Sequence, residues 1–156
     1  MRRLTALCVV WGTGLVLAAT AAADHPGRGG TPFFATLTPE AECNAAGVCG
    51  LGQPGAAGET RLRLNSGQQE VCFETTATGL MTPVTGAHIH QAPAGVAGPI
   101  VVPLSPSVGD GCVPAPRELT KEIRKNPENF YVNVHTTGRP AGAIRGQLCG
   151  PGRGNC

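Results

Sequence analysis

Short stretches of strict alternation between apolar and polar side chains limit the fold of this chain more than any other feature. Side chains in a strand point by turns to its two faces. The run Phe130-Tyr131-Val132-Asn133-Val134-His135 therefore sends its apolar members one way and Tyr131, Asn133 and His135 the other. Gly86-Ala87-His88-Ile89-His90-Gln91 repeats the arrangement, with Ala87 and Ile89 on one face and His88 beside His90 on the opposite one. In Ala143-Ile144-Arg145-Gly146-Gln147-Leu148, Ile144 and Leu148 are offered to a core while Arg145 and Gln147 point away. Each of these segments is expected to be a strand with one apolar and one polar face.

The rest of the chain extends the pattern. Residues 33–38 alternate well enough for a first strand, and residues 60–65 and 69–75 flank Ser66-Gly67 as a hairpin, with Leu62 and Leu64 packing against Val71 and Phe73. Between them, residues 40–59 are rich in Gly, Ala and Pro and read as a long loop. Residues 99–104 form a further strand, which Pro99 and Pro103 confine to an edge or keep short. Residues 91–98 are a glycine-proline loop, and the segment carrying Cys112 also reads as a loop. Residues 116–126 are the one helix candidate: Leu119 and Ile123 make a small apolar stripe, and Asn126-Pro127 stops it. Strands at 129–135 and 143–148 follow, joined by a turn containing Gly138, Pro140 and Gly142. Many short antiparallel strands punctuated by turn residues predict an all-β sandwich or barrel in one domain.

The N-terminus has the form of a secretory signal peptide: Arg2 and Arg3, an apolar stretch from Leu4 to Ala19, then Ala21-Ala22-Ala23. Cleavage after Ala23 is expected to release a secreted, extracellular product with no membrane span. Residues 24–30 form a flexible leader, residues 31–150 the domain and residues 151–156 a C-terminal tail. Of the 12 Lys and Arg, two leave with the signal, and the ten that remain balance ten Asp and Glu. A mature charge near zero argues against nucleic acid or an anionic membrane as the main partner. An extracellular or envelope protein is the partner class left open.

Cleavage also removes Cys8, leaving Cys43, Cys49, Cys72, Cys112, Cys149 and Cys156. An even number of cysteines in an exported chain implies disulfides, and no Cys-x-x-Cys pair suggests a thiolate metal site. The preferred pairing joins Cys72 to Cys112 across a long loop and closes two local loops, Cys43 to Cys49 and Cys149 to Cys156. A rival pairing joins Cys43 or Cys49 to Cys149 and so pins the first strand to the last.

Four ordered motifs carry a family likeness. Ala87-His88-Ile89-His90, Gly98-Pro99-Ile100-Val101-Val102-Pro103-Leu104, Phe130-Tyr131-Val132-Asn133-Val134-His135-Thr136 and Gly142-Ala143-Ile144-Arg145-Gly146-Gln147-Leu148 together resemble the CHRD domain, a module named after chordin and found in many bacterial secreted proteins. The likeness covers residues 33–148. It implies an extracellular, immunoglobulin-like antiparallel β-sandwich. Glu70-Val71-Cys72 and Gly111-Cys112-Val113 resemble a cysteine pair of bacterial members, which supports the Cys72–Cys112 bridge. About chemistry the resemblance implies little, since a fold does not fix a function.

The histidines invite a chemical reading of their own. A His-x-His strand plus a third histidine from another strand suits copper or zinc, both of which bind imidazole well. His88, His90 and His135 are the proposed ligands, with Tyr131, Asn133 and Arg145 behind them as supporting or anion-binding groups. The set is similar to part of the copper site of Cu/Zn superoxide dismutase, itself a β-sandwich. His88 and His90 match its paired histidines, His135 its later copper ligand, and Arg145, near Cys149, its anion-guiding arginine. Nothing between Gln91 and Cys112 supplies a bridging histidine or zinc ligands, so a mononuclear site is the most that is implied. The plainer alternative is that these imidazoles exchange hydrogen bonds with Tyr131, Asn133 and main-chain carbonyls across a half-exposed sheet face.

No catalytic residue is assigned. Ser66, Ser105 and Ser107 lie in turns without a nucleophile elbow, and Glu70 and Glu74 read as a solvated outward pair. Two functions remain: an exported binding or structural module with a histidine metal site, or a mononuclear copper or zinc protein with superoxide dismutase-like redox activity. The residues favour the first over an enzyme. If the protein is an enzyme, it is a copper-dependent oxidoreductase.

Overall fold

The two-residue period becomes eight strands in two antiparallel four-stranded sheets, a β-sandwich with a single α-helix among the described residues. The structure, a computed structural model, describes residues 29–81, 83–104 and 108–151. The expected signal peptide, most of the leader and tail, and Cys156 lie outside them. No helix among the described residues is long and apolar enough to cross a membrane.

The first sheet comprises β1 (Thr31–Leu37), β2 (Ala57–Asn65), β3 (Glu70–Thr78) and β6 (Gly109–Pro114), in the order β1-β2-β3-β6. The second comprises β4 (Val84–Gln91), β5 (Ile100–Leu104), β7 (Phe130–Thr136) and β8 (Arg139–Gln147), in the order β5-β4-β7-β8. As expected, Leu62 pairs with Phe73 and Leu64 with Val71 across the hairpin, and proline-flanked β5 lies at an edge. Phe33, Leu37, Leu62, Val71 and Phe73 from the first sheet meet Ile89, Val102, Phe130, Val132 and Ile144 from the second, all at most 3% exposed. Fully burying one such side chain contributes about 1.5–3 kcal/mol, so this interlayer core is the main source of stability.

The helix α1 (Arg117–Lys125) plugs one end of the sandwich. It buries Ile123 and Thr120, and the Thr120 hydroxyl donates to Ser66 Oγ in the β2–β3 turn (2.8 Å). Glu118 in its first turn and Arg124 and Lys125 in its last complement the helix dipole. Asn126 leaves helical geometry immediately before Pro127, which ends the helix.

Three sequence expectations are corrected. The segment carrying Cys112 is the strand β6, whose register sets Cys112 opposite Cys72. Its glycines and exposed polar residues hid the alternation. Pro140 and Gly142 lie inside β8 instead of in a turn, because an irregularity between Val134 and Thr136 lets the hairpin close tightly at Thr137-Gly138. The rival disulfide fails, since Cys43 is joined to Cys49 and Cys72 to Cys112. Cys149 is disulfide-bonded as well, and its expected partner Cys156 lies outside the described residues. Hydrogen bonds do what the rival bridge was expected to do. Phe34 and Cys149 exchange two (3.0 and 2.8 Å), as do Thr38 and Arg145 (2.9 and 3.0 Å), tying β1 to β8 and its continuation.

Candidate metal centre

The outward face of the second sheet collects the polar side chains. In register, His90 lies opposite Tyr131 and Tyr131 opposite Gln147, while His88 lies opposite Asn133 and Asn133 opposite Arg145. The alternative reading has this face half exposed; most of it is buried, with His88 and Gln147 keeping intermediate exposure. His90, Tyr131, Asn133, His135 and Arg145 are all buried, between 1 and 9% exposed. Two loops roof them: residues 92–99 over His90, Tyr131, Arg145 and Gln147, and residues 38–56, whose Glu42 lies beside Asn133 and Gly142. The first is held by the side chains it covers, the second by main-chain bonds of Thr38 to Arg145 and Gln53 to Ala143.

Arg145 is the clearest case. It donates to the carbonyls of Val96 (2.9 Å) and Pro93 (3.0 Å) and lies 3.4 Å from the centre of the Tyr131 ring, a cation–π contact. Gln147 donates to the Ala92 carbonyl (2.7 Å), and the Tyr131 hydroxyl accepts from Gly98 N–H (3.1 Å). The guanidinium is thus turned into the fold and committed to the roof, and solvent reaches only 1% of the residue.

The three histidines come together. Ring centres are 4.8 Å apart for His88 and His135, 5.7 Å for His88 and His90, and 5.8 Å for His90 and His135. His90 stacks on Tyr131 at 4.8 Å with the planes 10° apart. His90 Nδ1 lies 2.9 Å from the Gly98 carbonyl and His135 Nδ1 lies 3.1 Å from the Pro140 carbonyl. A carbonyl only accepts, so each Nδ1 carries the proton and each Nε2 of the neutral ring presents a lone pair. Those two Nε2 atoms and His88 Nδ1 are buried and have no hydrogen-bond partner. Leaving a buried polar atom unpaired costs about 1–3 kcal/mol, and here three such atoms belong to three neighbouring rings.

One nitrogen from each ring lies within 4.8 Å of the others. A metal held at about 2.0–2.1 Å would require the rings to draw in by up to about 1 Å, a movement within reach of small side-chain rotations. The donor set fits copper or zinc, and the Nδ1–H···O=C bonds are the outer contacts that orient metal-binding imidazoles. Burial, followed by the neighbouring rings of His135 and His90, pushes the pKa of His88 down to about 4. Burial lowers those of His90 and His135 too, against the opposing pull of the Gly98 and Pro140 carbonyls. At neutral pH the three rings are uncharged and able to ligate.

Gly86 makes room for this arrangement. A Cβ there would sit 3.1 Å from His88 Cε1 and 3.2 Å from Nε2, so the His88 ring lies back over the glycine.

Sequence reasoning missed Glu42. It is 4% exposed, with Oε2 unpaired, beside Asn133 and Gly142 on the floor of a cleft of about 450 Å³. A Cβ at Gly142, where φ is +148°, would fall 2.3 Å from Oε2, so only glycine admits this carboxyl. Burial raises its pKa to about 7, against the lowering influence of Arg145 and Asn133. Burial likewise lowers the Arg145 pKa, opposed by Tyr131 and Glu42. Glu42 sits in a Gly- and Ala-rich loop with no periodicity, and nothing local marks it as buried.

A second cluster, Glu70 with Cys72 and Cys112, offers no thiolate because its sulfurs are joined in the disulfide. The CHRD domain model matches residues 33–148. No curated protein and no solved structure matches the chain.

Proposed function

The chain belongs to the CHRD domain family, and from that footing we propose that it is a secreted, extracellular binding module whose histidine trio, His88, His90 and His135, holds one copper or zinc ion. The carrying observation is that three adjacent imidazoles, with ring centres 4.8–5.8 Å apart, each keep a buried ring nitrogen without a partner, two of them on rings fixed by carbonyls from behind. Disulfides and the sequence of the first 23 residues support export. A bound ion would tie β4 to β7 and stiffen the roof that His90, Tyr131 and Arg145 hold. The exposed Val48, Leu51 and Val96 of the roof loops are then available to a protein partner in the extracellular space or envelope.

The alternative is superoxide dismutase-like redox activity at the same copper ligands, for which bound copper would supply one-electron chemistry. The placement of Arg145 favours the binding reading, because its guanidinium grips the 92–99 loop and faces no solvent-accessible anion path. Titrating metal-stripped protein with Cu(II) and Zn(II) tests the reading. One ion is expected to bind more tightly than micromolar and to be lost when all three histidines are replaced by alanine. Binding weaker than micromolar for both metals, or binding unchanged in the triple variant, rejects the metal site.

A further inference from the structure

Resting on the metal reading above, we propose that the site is built for monovalent copper, holding Cu(I) in preference to Cu(II) or Zn(II). Charge is the reason. The cluster offers three neutral imidazoles, and no carboxylate or thiolate among the described residues joins them to offset the ion. Zn(II) normally closes a tetrahedral shell and is often helped by an anionic ligand, whereas cuprous copper is satisfied by fewer, neutral donors.

The nearest fixed charge has the wrong sign for a dication. Strand order places Tyr131 on β7 between His90 on β4 and Arg145 on β8. With Arg145 Cζ 3.4 Å from the Tyr131 ring centre and the His90 ring 4.8 Å from that centre, the buried cation lies within about 8 Å of a ligand. It cannot swing away, because two roof carbonyls hold it. An ion on that ligand would lie up to about 3 Å beyond the ring centre, and at about 11 Å with an effective dielectric of about 20 each unit of its charge is disfavoured about tenfold. Among the described residues Glu42 is the one buried acid near Arg145 and offsets part of this when ionised, though burial keeps it partly protonated at neutral pH. Part of that preference for the ion with one charge fewer remains.

The test is a metal competition and a potential measurement on the purified protein. Cu(I), supplied anaerobically against a chromogenic cuprous chelator, is expected to bind more tightly than Cu(II) or Zn(II) at pH 7. The midpoint potential of bound copper, followed by the Cu(II) electron paramagnetic resonance signal, is expected to fall about 59 mV in Arg145→Gln, the equivalent of a tenfold change for one electron. Arg145→Lys keeps the charge and is expected to leave the potential near that of the parent. Glu42→Gln leaves the guanidinium and roof in place and is expected to raise it, so the idea stays testable should Arg145→Gln fail to fold. Tighter binding of Cu(II) or Zn(II) through the same histidines, or a potential indifferent to both Glu42→Gln and Arg145→Gln, overturns the monovalent preference and leaves the metal site standing. If no metal binds at all, both fall.

Discussion

The outward faces of the two sheets were written in the same alternating code and met different fates. On the first sheet, Phe34, Arg61, Glu74 and Asp110 stand in one row across four strands. Water reaches this face: Arg61 pairs with Glu59 at 2.8 Å while their side chains remain 66 and 52% exposed. On the second sheet the equivalent rows, His90-Tyr131-Gln147 and His88-Asn133-Arg145, are mostly closed over by two loops, with His88 and Gln147 keeping intermediate exposure. Alternation therefore decides which side chains share a face, and the connections between strands decide whether that face is wet. Desolvation turns the second face into a place where an arginine is locked, imidazoles stay neutral and a carboxyl releases its proton only near pH 7.

The sharpest way to break this contrast is to remove matching arginines. Arg145→Ala is expected to lose about 3–5 kcal/mol in urea unfolding, because two roof carbonyls and the Tyr131 face lose a buried cation. Arg61→Ala, in water, is the smallest expected effect, about 0.5 kcal/mol or less. Equal losses would show that the roof does not matter.

Next in size is the ligand set. His135→Ala is expected to weaken Cu(II) binding on the order of a hundredfold in a calorimetric titration, since each imidazole carries a comparable share of the binding energy. Glu74→Ala is expected to leave it unchanged.

The buried carboxyl gives an effect of pH. Glu42 in the native state holds its proton up to about pH 7, whereas the unfolded chain releases it near 4.5. The stability it contributes is present below pH 4.5 and lost as pH rises through 7. Glu42→Gln, which cannot ionise, is expected to exceed the parent by about 2–3 kcal/mol at pH 8 relative to pH 4 in denaturant titrations. The histidines slope the other way. Unfolded rings take up protons near 6.5 while His88 resists until about 4, so through that window stability falls as pH is lowered. A flat profile for both variant and parent would mean that water reaches the second face after all.

A smaller effect is expected at the glycine under His88. Gly86→Ala should displace the ring and cost about tenfold in metal affinity, with a stability change of about 1 kcal/mol.

The sandwich, the β2–β3 register, the proline-flanked edge and the helix were legible because each follows from local periodicity or a local stop signal. The histidine trio was legible for the same reason: His88 and His90 share a strand face, and only the β4–β7 pairing was needed to add His135. β6 was not, because Gly109, Asp110 and Gly111 carry no apolar rhythm and are held by partnership with β3. Nor was the burial of Arg145 or Glu42. That depends on where residues 38–56 and 92–99 come to rest, a property of long-range packing that no short window contains. Pro140 misled in the opposite direction, since it sits in a strand whose irregular register makes its carbonyl the acceptor for His135.

The arch from Ala92 to Pro99 receives contacts from Gln91, His90, Tyr131, Arg145 and Gln147 along its whole length. A loop moulded from beneath at so many points has no spare length. Anyone transplanting the trio into another scaffold would have to carry this arch with it.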